Sequence, residues 1–140
     1  MKKLGIIGAS DLALQIANIA FTCGYSEVFF FADTPSNIND GRVIIAGTVN
    51  DVFTAFNKGS IDEVAIGVGY NNFQFREKVF DELVYQKVSI ATIIHPTCIV
   101  DPTASIDPGC ILYPGVIVDM NVHIHANVLL NLSCVISHDS

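Results

Sequence analysis

The sequence predicts two architectures in series: an α/β layer around a parallel sheet over residues 1–93, then an all-β parallel helix over residues 94–140. Three observations predict them. Short apolar runs alternate with helix-period segments through residue 93, a six-residue aliphatic period begins at Ile94, and Pro, Gly, Thr and Asn recur between the aliphatic positions as turn formers.

In the first part, "KKLGIIG" is a short apolar run ending at Gly8, followed by "DLALQIANIAF", in which Leu12, Ile16 and Ile19 suit one face of a helix. "EVFFFAD" reads as a second buried strand closing on Asp33. "TVNDVFTAFNKG" spaces Val49, Val52, Phe53 and Phe56 as a helix, with Thr48 as its cap and Gly59 as its stop. "DEVAIGVG" is the next strand. Asn71, with Gln74 three residues later, caps the helix "NFQFREKVFDELVYQK", and "VSIATII" closes the region as a strand.

Such alternation points to a parallel sheet that binds ligands at the carboxyl ends of its strands, around Gly8, Asp33 and Gly67. Gly8 would let a phosphate approach the backbone at a helix N-terminus. Asp33, 25 residues later, stands roughly where dinucleotide folds place an acid for ribose hydroxyls, which makes the layer Rossmann-like. "GASDLA" is not GxGxxG, however, and Asp11 repels a diphosphate. Nucleotide binding and a tight structural turn both stand at this point. Arg76 reads either as an anion contact or as part of a solvated helix face.

From Ile94 every sixth residue is aliphatic: Ile94, Val100, Ile106, Leu112, Val118, Ile124, Leu130 and Ile136. Four positions after each comes a small or β-branched residue, from Cys98 to Ser140. A hexad can form one short strand and one corner, so three hexads make a triangular coil whose neighbours stack about 4.8 Å apart. Cys98, Cys110 and Cys134 fall on small-residue positions and read as packing rather than as nucleophiles. His95 sits at the junction of the two parts. His123 and His125 flank the interior Ile124 and so face outward, towards solvent or another subunit, while His138 and Asp139 share a corner. From spacing alone that corner pair fits surface polarity as well as catalysis.

Composition narrows the function. At 140 residues, 51% hydrophobic and only 15% charged, the chain has apolar surface to bury against another subunit, which predicts an oligomer. A net charge of -7 excludes nucleic-acid backbones and anionic membranes as general partners. Asp11, Gln15 and Asn18 interrupt the apolar start, and no run approaches the ~18 apolar residues of a membrane span. Four cysteines without a CxxC pair fit a reduced, cytoplasmic protein that holds no metal.

The stretches "GAS" at Gly8 to Ser10, "FFFAD" at Phe29 to Asp33, "VAIG" at Val64 to Gly67, "IIHPTCIVDPTASI" and "LLNLSCVISHDS" carry a family likeness. The chain resembles the sialic-acid O-acetyltransferase-like family of bacterial sugar acetyltransferases, whose best-described members are bacillosamine-pathway N-acetyltransferases. The resemblance implies left-handed hexapeptide coils, homotrimers with active sites between adjacent β-helices, acetyl-CoA as cosubstrate, and a nucleotide-linked amino sugar held by the N-terminal domain. It implies His138 as general base, Asp139 as its orienting acid and Asn131 at the same site, with Gly8, Ser10, Asp33 and Gly67 holding the nucleotide. N-acetylation is the leading expectation. O-acetylation of a sialic-acid-type sugar and a non-catalytic sugar-nucleotide-binding module are the alternatives.

Two departures stand out. Where the family's first loop commonly continues Gly-His-Gly, this chain has Asp11, Leu12 and Ala13. The family also continues for several more coils, whereas residues 94–140 supply 47 residues, about 2.6 coils. The sequence therefore reads as a fragment or a shortened product with an incomplete β-helix.

Overall fold

The computed structural model describes residues 2–69 and 71–140. The chain forms two compact units, Met1–Ala91 and Thr92–Ser140. The first contains β1 (Lys2–Ile7), α1 (Asp11–Thr22), β2 (Tyr25–Phe31), β3 (Val43–Gly47), α2 (Asp51–Asn57), β4 (Glu63–Ile66) and α3 (Phe73–Tyr85). Its sheet runs β3-β2-β1-β4 with every pairing parallel.

Both faces of this sheet are covered, which is why its central strands read as continuous apolar runs. Leu4, Ile6, Val28 and Phe30 are fully buried, as are Ala13, Ile16, Ala17 and Ala20 on the inner side of α1. The alternate residues Ile7 and Phe31 join Val52 of α2, Val79 and Leu83 of α3, and Ile61, Val64, Ile66 and Val88 in a second cluster. Burying each large aliphatic side chain contributes about 1.5–3 kcal/mol.

Four local expectations shift. The sequence pattern passes over β3, an edge strand whose burial does not alternate: Ile44 and Ile45 are both about half exposed. Asn50 is the N-cap of α2, while the Thr48 amide donates to Asp51 Oδ2 at 2.8 Å. The cap of α3 is Asn72 rather than Asn71, its Oδ1 accepting from Phe75 N at 3.0 Å. Finally, "VSIATII" divides: Ile90 makes an isolated parallel bridge to Val64 in the first unit, and the strand is only Ile93–Ile94 in the second.

The second unit stacks two-residue strands at six-residue intervals: β5 (Ile93–Ile94), β6 (Ile99–Val100), β7 (Ser105–Ile106), β8 (Ile111–Leu112), β9 (Ile117–Val118), β10 (His123–Ile124), β11 (Leu129–Leu130) and β12 (Val135–Ile136). They form three parallel stacks, β5-β8-β11, β6-β9-β12 and β7-β10, in which partners differ by eighteen residues. The hexad thus builds a parallel β-helix. Its middle coil is the driest, with Leu112, Val118 and Ile124 all buried. Backbone bonds link coil to coil, among them Ile99 N to Val116 O and Ile117 N to Cys134 O, both 2.9 Å.

Corners follow the same count. Gly109, Gly115, Asn121, Asn127, Ser133 and Asp139 all have positive φ, the region that Gly, Asn and Asp tolerate best. The two earliest corners, at Thr97 and Thr103, close with bonds from Cys98 N to His95 O and from Ala104 N to Asp101 O, both 2.9 Å, and the Ser133 corner has the same kind of bond, from Cys134 N to Asn131 O at 3.1 Å. Thr103 also donates to Asp101 Oδ1 through its hydroxyl and its amide, which lowers the Asp101 pKa. Among the described residues no helix is long and apolar enough to cross a membrane.

Candidate functional site

In the second unit, β12 leads into the corner that carries His138 and Asp139. The Asp139 amide donates to Met120 O at 3.0 Å on the coil beneath, which fixes the turn. Its left-handed backbone brings Asp139 Oδ2 to 2.8 Å from Nδ1 of His138, although the two are sequence neighbours. A carboxylate only accepts, so Nδ1 carries a proton, and the neutral form of the ring has its lone pair on Nε2. The imidazole is 60% exposed and the carboxylate 59%, so both groups face solvent. Asn131 lies at the preceding corner, where its Oδ1 accepts from Leu132 N at 2.7 Å.

The histidines and cysteines elsewhere in this unit divide clearly. His95 Nδ1 accepts from Thr97 N at 3.1 Å and lies 2.8 Å from Thr97 Oγ1, completing a local turn. Cys110 is fully buried and donates to His125 O at 3.0 Å, while Cys98 donates to Tyr113 O at 3.1 Å. These thiols behave as packing groups.

In the first unit, Gly8, Ser10, Asp33 and Gly67 all follow the carboxyl ends of strands. Gly8 has φ 120°, donates to Phe31 O at 2.8 Å, and lies so close to the next loop that a Cβ there would stand 2.6 Å from Gly67 O. Gly67 is equally confined, since its own Cβ would meet Ile6 Cγ2 at 2.7 Å. Ser10 is the exposed N-cap of α1. Asp33 Oδ1 accepts from Val49 N at 3.0 Å, and the residue borders a cleft of about 260 Å³ with Phe53, Phe75, Lys78 and Gln86.

Arg76 is neither solvated nor free to take an anion. It is buried, with Nη1 donating to Ile66 O at 3.0 Å and Val68 O at 2.9 Å, so it holds the carbonyls that follow β4. No spacing rule marks this brace in the sequence. Nearby, Arg42 bonds Asp40 and Asn18 and lies over the Phe21 ring, tying the β2–β3 loop to α1. The hydrogen bonds and charge of Arg42 lower the Asp40 pKa to about 2.

A family model described as the PglD N-terminal domain matches residues 3–83. The acetyltransferase domain of PglB from Neisseria gonorrhoeae FA1090, in complex with acetyl coenzyme A, matches with a TM-score of 0.86 and 24% identity over 99% of this chain and 65% of that one. A mutant of GDP-perosamine N-acetyl transferase from Caulobacter crescentus, in complex with CoA and GDP-perosamine, matches with a TM-score of 0.85 and 19% identity over 99% of this chain and 64% of that one. The chain thus spans just under two thirds of the length of these structures. The sequence has no match among curated proteins. At these identities the structural likeness establishes the fold, an α/β layer followed by parallel β-helix coils.

Proposed function

Because the chain belongs to the family described as the PglD N-terminal domain, we propose that the protein transfers an acetyl group from acetyl-CoA to the amine of a nucleotide-linked amino sugar. The observation that carries this reading is the 2.8 Å contact between His138 Nδ1 and Asp139 Oδ2 at an exposed β-helix corner.

His138 is the general base. The sugar nitrogen attacks the thioester carbonyl carbon, and its proton passes to Nε2 as the C–N bond forms. Asp139 holds the ring in the Nδ1–H tautomer and stabilises the imidazolium. When the C–S bond breaks, the proton moves on to the departing thiolate, leaving an amide and the free thiol of CoA. The thioester is already activated, so positioning and proton removal supply much of the acceleration. In this reading Asn131 contacts the same acceptor, and Gly8, Ser10, Asp33 and Gly67 hold its nucleotide end. The position of these residues just past β1, β2 and β4 supports that assignment, since parallel sheets take ligands at the carboxyl ends of their strands.

A homotrimer is part of the proposal. Ile99, Ile117 and Val135 stack in register along β6-β9-β12 and are 64%, 37% and 60% exposed, an apolar stripe suited to burial against another copy. Free cysteines suit a reducing cytoplasmic setting.

The test is thiol release from acetyl-CoA with nucleotide-linked amino sugars, run beside hydroxyl acceptors. His138→Ala should lose about 10²–10⁴-fold in turnover. Turnover near wild type in that variant would remove the base, and faster release with hydroxyl acceptors would reassign the product as an ester. Calorimetry that finds sugar-nucleotide binding without acetyl-CoA binding would make the chain a binding module.

A further inference from the structure

We propose that Asp107, His123 and His125 form a binding site for one divalent transition-metal ion of the zinc class, separate from the acyl-transfer residues. The strand β10 pairs with β7, placing His123 beside Ser105 and Ile124 beside Ile106. One step further along the same register, His125 stands beside Asp107. Ile124 points into the coil and is buried, so the alternation of the strand turns both flanking imidazoles to the outer face.

The donor atoms are already gathered. Asp107 Oδ2 lies 2.9 Å from His123 Nε2 and 4.0 Å from His125 Nδ1, and one donor atom from each residue falls within 4.8 Å of the others. The two rings are 4.1 Å apart at their centroids. Bonds of about 2.0–2.2 Å in a tetrahedral shell separate donor atoms by roughly 3.2–3.6 Å. The two Asp107 contacts straddle that range, so small side-chain rotations admit an ion.

The backbone beneath is fixed on three sides. Asp107 N donates to Ile124 O at 2.9 Å, His123 N to Ser140 O at 3.0 Å, and Cys110 Sγ to His125 O at 3.0 Å. Such a frame limits the ordering cost of binding. Two imidazoles and one carboxylate are a nitrogen and oxygen set that favours zinc, nickel, cobalt or copper over magnesium and calcium, which prefer all-oxygen shells. The side chains are 46%, 79% and 39% exposed for His123, His125 and Asp107, so the ion enters without opening the coil and keeps water in its remaining position.

An ion here ties residue 107 to residues 123 and 125 across one coil, and stabilises the folded chain by mass action. The test is calorimetric titration of the full chain with zinc chloride, with cobalt chloride as a spectroscopic probe and magnesium chloride as contrast. One zinc per chain, a raised melting temperature, and cobalt d–d bands without sulfur charge transfer are expected, with no response to magnesium. Loss of an outer-shell partner typically weakens a metal site about 10–100-fold, so His125→Ala and Asp107→Asn should each weaken zinc binding at least tenfold. His125 is largely exposed, so that variant should melt like wild type without metal, and His138→Ala should bind zinc normally. No zinc binding, undiminished binding in His125→Ala or Asp107→Asn, loss of binding in His138→Ala, or sulfur charge-transfer bands would overturn the proposal.

Discussion

Asp139 sets its carboxylate 2.8 Å from Nδ1 of the adjacent His138, from a backbone held in the left-handed region at φ 60°. Neighbours on an extended strand point to opposite faces, so the corner conformation creates this pair. Asn also tolerates the left-handed region. Asp139→Asn should therefore keep the turn and the melting temperature while lowering kcat by about tenfold or more, with KM little changed. Wild-type turnover in a steady-state assay of that variant would leave Asp139 as a turn residue only.

The corner chemistry can also be tested one coil below Asp139, beside the Met120 carbonyl that accepts from its amide. Asn121 has φ 57°, and its amide donates to Thr103 Oγ1 at 2.8 Å. Asn121→Gly should fall within about 0.5 kcal/mol of wild type, whereas Asn121→Val should lose about 1–2 kcal/mol, because a β-branched side chain crowds the left-handed backbone and lacks the local hydrogen bonding of Asn. Urea denaturation of the two variants measures the difference. Equal stabilities would show that the turn relaxes.

Gly8 separates backbone strain from steric contact. Alanine there would meet Gly67 O at 2.6 Å and sit at φ 120°, while Gly24, at φ 92°, has nothing within 4 Å of an added Cβ. Both substitutions carry a left-handed penalty of about 1–3 kcal/mol. Only Gly8→Ala should also shift the loops after β1 and β4 and weaken sugar-nucleotide binding, as read by calorimetry.

At the opposite end of the sheet, Tyr25 Oη donates to Glu63 Oε1 at 2.8 Å, and Lys2 Nζ lies 3.2 Å from the same oxygen. Burial first, then the hydrogen bond and charge of Glu63, push the Tyr25 phenol above its ordinary range. A raised folded-state value means that the stabilisation is complete below the unfolded phenol's pKa of about 10 and is lost as pH rises above it. An absorbance titration should show a late phenol ionisation from Tyr25. Tyr25→Phe should diminish the late ionisation and cost about 1 kcal/mol at neutral pH.

The β-helix was legible because a period of six has few competing explanations, and Leu112, Val118 and Ile124 are buried as that period requires. β3 was hidden because an edge strand with Ile44 and Ile45 both exposed carries no alternation. The cap of α3 moved by one residue because Asn71 and Asn72 are chemically identical, and only the backbone decides which oxygen reaches Phe75 N. The inward role of Arg76 is not legible, because a helical arginine is ordinarily solvated, whereas this one is drawn inward by two carbonyls of a parallel strand's end. The grouping of Asp107 with His125 depends on coil register, since eighteen residues separate them along the chain.

The fixed offset between stacked strands has an evolutionary consequence. The second unit accepts exchanges of residue far more readily than changes in their number. Removing one residue between Gly109 and Ile111 would slide each later strand by one position, turning Val118 and Ile124 to water and driving His123 toward the axis. Descendants of this gene can gain or lose length here by whole turns, or by loops extruded at corners, which leave the count between strands intact.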